Sequence, residues 1–249
     1  MLKKLLKYDL KNIFNQLSLL WIVSLVSAVI SQLITRLPWD NIFTSVLYVM
    51  TSLVTYLTII LLLIAPIVVA IKRTYEHLFK AQGYLTNTLP ITKSQLLLSK
   101  TIAAFLTFLI SLIVVVVAIA ILYWGESLTT NGLILKDILI SLTIFLFAFY
   151  IHLFIFILLA YALGQRHDSK KIGHAFIYGL IGYIIIQIVL ASLIFGYVAI
   201  NKDFMILLEN NDIPSIRNLL FSIAGIFVII AGINFTATNK ILNKKMDLE

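Results

Sequence analysis

Six stretches of this chain carry no Asp, Glu, Lys or Arg over lengths that match a lipid bilayer: residues 17–34, 42–71, 101–124, 138–163, 175–200 and 219–238. A hydrocarbon core about 30 Å thick takes roughly 20 helical residues to cross. All 19 basic and 11 acidic residues fall between those stretches. A charge at the centre of a spanning helix costs about 2.5–3.5 kcal/mol on insertion scales, so true spans produce this partition. A closed β-barrel also spans membranes, but it needs alternating segments of about ten residues. Runs such as residues 109–122 do not alternate. The expected fold is an all-α integral membrane protein, with residues 1–249 forming one transmembrane domain of six helices.

Composition agrees. The chain is 61% hydrophobic and 12% charged, with a mean hydropathy of +1.04, far outside the range of soluble domains. Soluble enzymes, nucleic-acid-binding domains and disordered tails are excluded. The net charge of +8 reflects topology rather than a nucleic-acid partner. There is no cysteine, which removes disulfides, thiolate metal sites and cysteine nucleophiles together.

Orientation follows from the basic residues. Fifteen lie in the N-terminal arm, in the loops after spans two and four, and in the C-terminal tail. Four lie on the other side: Arg36, Lys136, Lys202 and Arg217. Both termini are therefore expected in the cytoplasm. The first 16 residues are not a cleavable signal, because the apolar run continues past Val26-Ser27-Ala28. Leu2, Leu5, Leu6, Leu10, Ile13, Phe14 and Leu17 step by three and four along one helical face. The spacing predicts an amphipathic helix over 1–16 resting in the headgroup layer, or more simply a basic arm leading into span one. In the loop 201–218, the apolar run 204–208 followed by Pro214 reads as an element dipping back into the interface, or equally as a loose apolar loop.

The segment between spans two and three is the most informative. Span two is 30 residues long, about 45 Å as helix, so it tilts, kinks at Pro66 or projects from the membrane. Helix is expected to continue through 72–82 and stop at Gly83. A turn over 84–90 follows, and Thr92 with Gln95 forms a capping-box pattern that opens the next helix. The result is a cytoplasmic helix–turn–helix whose expected exposed residues, Tyr75, Leu78, Phe79, Tyr84 and Leu85, are too apolar for solvation alone and read as a docking surface, or as a knob that packs only on the chain's own helices.

The run Arg73-x4-Leu78-Phe79-x3-Gly83-Tyr84-Leu85-x3-Leu89-Pro90-Ile91-Thr92-x3-Leu96-Leu97-x-Ser99-Lys100 resembles the small permeases of the type-2 ATP-binding-cassette (ABC) exporter family. The resemblance in layout covers the whole chain, and the residue-level match is confined to 73–100. It implies a six-span subunit with an interfacial N-terminal helix and a cytoplasmic coupling helix between spans two and three. On that pattern an ATPase contact would involve Tyr75, Glu76, Leu78, Phe79, Gly83, Tyr84, Leu85, Thr88, Leu89 and Pro90. The dip in 201–218 would match the family's re-entrant hairpin. The resemblance also implies cytoplasmic ABC ATPase subunits as partners, and a second permease copy or a sister permease. This chain has no phosphate-binding G-x-x-x-x-G-K-[ST] run, so ATP and Mg are expected on the partner and no cofactor here.

Polar residues inside spans are costly and often functional. His152, Gln187 and Asn234 are the candidates for a translocation path. Each also has a plainer reading as an interhelical hydrogen-bonding group, and a neutral, hydrogen-bonded His152 is the preferred one. His167 and His174 flank a basic turn containing Asp168, but no third ligand has a spacing that suits a metal. The competing class is an ion-coupled secondary transporter or channel using His152. An intramembrane protease lacks its frame, since Ser192 and His152 lie on different spans without H-E-x-x-H or a Gly-flanked serine turn.

Overall fold

The computed structural model describes residues 2–36, 41–79, 92–123, 130–167, 170–200 and 213–245. They form six long helices: α1 (Leu2–Thr35), α2 (Ile42–Phe79), α3 (Lys93–Leu122), α4 (Thr130–Gly164), α5 (Lys171–Ile200) and α6 (Ile213–Lys245). Each is long and apolar enough to cross a membrane, and no strand occurs among the described residues. The fold is that of an all-α membrane protein. Every helix overruns the charge-free stretch expected for it at one or both ends. The chain divides into two compact units, one built from α1, α2 and α3 and the other from α4, α5 and α6.

In the first unit, α1 presents one inward row: Asp9, Ile13, Leu17, Ser24, Ala28 and Ser31 are all buried. They recur at helical spacing on a single face. On α3 the facing row is small: Ser99, Ala103, Thr107, Ser111, Val115 and Ala118 recur every three or four residues. Small side chains let helix backbones approach closely where lipid gives no hydrophobic drive to association. Trp21 Nε1 donates across that seam to Ser111 Oγ at 3.0 Å. Ile13, Leu17 and Ala103 form the core, with Leu6, Leu10, Ala65 and Val69 packed on it. On α2 the inward row is Leu62, Pro66, Ala70, Thr74 and Leu78, one residue every four. The helix continues through Pro66. Further along, Thr55 Oγ1 donates to Ser27 Oγ at 3.0 Å, and Ser27 donates to the Ser24 carbonyl at 3.1 Å.

Three expectations change here. The N-terminal arm is no separate element, because Leu2–Thr35 is one unbroken helix. Its apolar stripe does not stand free: Leu6, Leu10, Ile13 and Leu17 pack with α2 and α3. Leu78 is buried rather than exposed, since it lies four residues beyond Thr74 on the inward row of α2. Residues 213–218, expected as loop, are the opening of α6, and Pro214 suits a first helical turn, where a missing N–H costs nothing. The expected dip at 204–208 lies outside the described residues.

The α3 cap follows the expected pattern in part. Thr92 has extended backbone (φ −70°, ψ 144°), and its side chain accepts from the Gln95 N–H at 3.3 Å. That satisfies one of the orphan donors of the first turn.

In the second unit, α4 is the central helix. Its contact with α5 is built from small residues. An added Cβ at Gly179 would sit 3.7 Å from Ala160 Cβ, whereas one at Gly164 would fall 2.6 Å from the Lys171 carbonyl oxygen. Phe156 fills the notch left by Gly182. Toward α6 the core is Ala148, Ala224 and Phe227, with Phe145, Leu190 and Ile223 packed against it. Phe227 meets Phe149 edge-on at 5.4 Å between ring centroids. Most of the large apolar side chains of α5, from Ile172 to Tyr197, are exposed.

Candidate functional site: a buried charge clasp

Asp9 is the one acidic residue on the inward row of α1, at the position one turn before Ile13. Only 3% of it is exposed. Its carboxylate gathers partners from the other two helices of the unit. Lys100 Nζ of α3 lies 2.5 Å from Oδ1, and Arg73 Nε of α2 lies 3.4 Å from the same oxygen. Ser99 Oγ donates to Oδ2 at 3.3 Å. The Arg73 fork reaches further along α1. Nη2 donates to the Tyr8 carbonyl at 3.4 Å. With its amide oriented to match these donors, Asn12 accepts from Nη1 at 2.6 Å and from Nη2 at 3.2 Å. A planar guanidinium is suited to such a fan of acceptors, whereas an ammonium acts as a point charge.

The electrostatics are unequal. Two cations face one carboxylate, and the Arg73 side chain is only 12% exposed. Burying charge is costly unless it is paired and hydrogen-bonded. A buried ion pair is weak evidence of net stability, but removal of one member leaves an uncompensated charge. The arrangement therefore holds three helix ends in fixed relation.

Arg73, Ser99 and Lys100 belong to the 73–100 run and are expected on the helical stems that flank its turn. The structure has them on those helices, as expected, and brings them together on a residue that the run does not contain. Asp9 went unnoticed in the sequence because it precedes the first charge-free stretch and reads as part of a basic arm. Its signal was positional: it interrupts the apolar stripe of Leu5, Leu6, Leu10 and Ile13.

The residues expected at an ATPase contact divide. Tyr75 and Glu76 are half-buried on α2, and Leu78 is buried. Phe79 closes α2. Gly83, Tyr84, Leu85, Thr88, Leu89 and Pro90 lie outside the described residues.

The path candidates all lie in the second unit. His152 is buried, and its ring stacks on Phe227 at 5.1 Å between centroids and on Phe156 at 6.0 Å. Its Nδ1 has no hydrogen-bond partner, so at that atom the expected bond to a neighbouring helix is replaced by aromatic faces. Gln187 is exposed and donates to Tyr183 Oη at 2.8 Å, one turn back on its own helix rather than across to another. The Asn234 amide nitrogen is buried without a partner. Among the described residues no hydrogen bond joins the three.

At the turn between α4 and α5, His167 and His174 stack at 3.9 Å with an 18° interplanar angle. His167 Nε2 lies 3.0 Å from Tyr178 Oη. Nearly parallel rings point their lone pairs side by side instead of at one point. No cluster of three metal-ligating side chains occurs among the described residues. Asp168 lies outside them.

The chain matches no model of a protein family, no curated protein and no solved structure. The functional reading therefore rests on the residues themselves.

Proposed function

We propose that this chain is the permease subunit of a type-2 ABC exporter. It forms half of a translocation path and is driven by a separate cytoplasmic ATPase. One observation carries the reading: Arg73, Ser99 and Lys100, at the two ends of the 73–100 run, converge on Asp9. The stems on either side of the segment expected to dock an ATPase are thereby held in fixed relation, as a lever requires. In this reading the chain is not itself an enzyme. ATP and Mg bind the ATPase, a second permease copy or a sister permease completes the path, and membrane lipid surrounds both.

In this reading both termini lie in the cytoplasm of a bacterium and the spans in its plasma membrane; the excess of basic residues on one side supports that orientation. The aliphatic and aromatic spans favour an amphipathic or lipophilic cargo such as a peptide, an antimicrobial or a lipid-like compound. ATP acts through the difference in its affinity for two conformations, since no ligand shifts an equilibrium by more than that difference.

The test is gentle detergent extraction of the chain from its native membrane, with mass spectrometry of the proteins that co-purify. A stoichiometric ATPase with a phosphate-binding loop supports the reading, and a chain that comes out alone overturns it. A second reading, an ion-coupled transporter or channel, draws on the buried, unpartnered Nδ1 of His152. It becomes the better one if no ATPase is found.

A further inference from the structure

We propose that Asp9 is a positioning residue: it fastens the first turns of α1 to both stems of the segment between α2 and α3, so that α1 moves with those stems. The inference rests on the permease reading and deepens it by making the N-terminal helix part of the transmission. Arg73 lies in the last two turns of α2 and Lys100 in the second turn of α3, so the two cations bracket that segment. Both meet one carboxylate oxygen. With two cations on one anion, drawing α1 away from the stems strips both of their shared counter-ion. Drawing either stem away alone leaves its own cation bare in a buried site. The three ends therefore separate together or not at all.

Arg73 adds direction: its Nη donors reach Asn12 and the Tyr8 carbonyl, a full turn of α1, while its charge pairs with Asp9 between them. Away from the clasp, α1 and α2 meet through the buried hydrogen bond from Thr55 to Ser27. A groove of about 390 Å³ lies between them, lined by Ile22, Val26, Ser27, Met50, Thr51 and Val54. Beyond the clasp α1 stays seated on α3, with Trp21 bonded to Ser111 and Ser24, Ala28 and Ser31 buried, so movement of its first turns with the stems is carried along the helix.

Hydrogen exchange on the purified full chain in detergent reads the clasp without any partner. Amides of 5–16, 72–78 and 94–100 are expected to open at a common rate in the wild type. Asp9→Asn should speed all three together by about 100-fold, the scale that follows from breaking a buried ion pair. Asp9→Glu keeps a carboxylate facing both cations and should retain most of the protection. If Asp9→Asn speeds 5–16 alone, or nothing, the clasp is overturned. Should Asp9→Asn fail to accumulate, Ser99→Ala removes one partner and leaves the ion pairs. It should speed the same three segments by about tenfold, and an unchanged profile again overturns the proposal.

In the complex with a captured ATPase, the readout is ATP hydrolysis with and without the permease. Asp9→Asn should reduce the permease-dependent change by about fivefold or more, the scale of a typical coupling energy, and Asp9→Glu should retain most of it. A wild-type response from Asp9→Asn overturns the role in transmission. If no ATPase is captured, the permease reading fails while the exchange profile still decides the clasp.

Discussion

Asp9 of α1 and Lys100 of α3, 91 positions apart in the chain, form a buried ion pair in a protein with few charges near its helices' inward faces. Arg73 makes it a triad with surplus positive charge. That imbalance yields an asymmetric prediction. Asp9→Asn leaves two cations facing each other and should cost about 3–5 kcal/mol. Lys100→Met leaves a one-to-one pair of Asp9 with Arg73 and should cost roughly half as much. Thermal unfolding of both variants in detergent checks the order. Equal costs would show that Arg73 does not share the carboxylate.

A glycine pair isolates backbone approach between α4 and α5. At Gly164 an added methyl meets the Lys171 carbonyl oxygen at 2.6 Å and the Ala175 backbone nitrogen at 2.7 Å, and backbone does not yield as a flexible side chain does. Gly164→Ala should therefore destabilise by about 1–3 kcal/mol. At Gly232 of α6 nothing lies within 4 Å, and Gly232→Ala should be neutral or gain up to about 1 kcal/mol of helix propensity. Melting temperatures of the two variants should move in opposite directions or differ clearly in size.

The six helices were legible because charge exclusion from a bilayer is a coarse, additive signal that survives without any tertiary knowledge. The Thr92 cap was legible for a similar reason, since its chemistry is local. Asp9 was not, because its meaning depends on which face α1 turns toward α3, and charge counting assigns an acid before a span to the solvent. Leu78 was misplaced by the same limit: helical continuation past residue 72 was foreseen, but the register that puts every fourth residue inward is set by packing. The polar span residues show the converse. His152 looked like a hydrogen-bonding group, and the structure surrounds it with rings supplied by Phe227 and Phe156.

His152 yields a prediction that separates packing from chemistry. Its ring contacts are aromatic and its Nδ1 is unpartnered, so His152→Phe keeps the contacts and removes an unsatisfied polar atom. Its stability should fall within about 1 kcal/mol of wild type. His152→Ala opens a cavity and should cost about 2–4 kcal/mol. Paired melting and transport assays read both. Loss of transport in a stable His152→Phe protein would move the functional reading to an ion-coupled carrier.

Leu78 and Tyr75 test which part of the end of α2 serves the fold and which is open to a partner. Leu78 is 5% exposed and continues the inward row of Ala70 and Thr74. Leu78→Ala should therefore lower stability by about 2–5 kcal/mol, as emptying a packed site does. Tyr75 is only half-buried on the same turns. Tyr75→Ala should cost less than Leu78→Ala, and in the proposed complex it should weaken retention of the ATPase on the purified permease. Unfolding measured for each variant, followed by co-purification at equal permease level, separates the two effects. A Leu78→Ala protein that melts like wild type but releases the ATPase would return Leu78 to the docking surface.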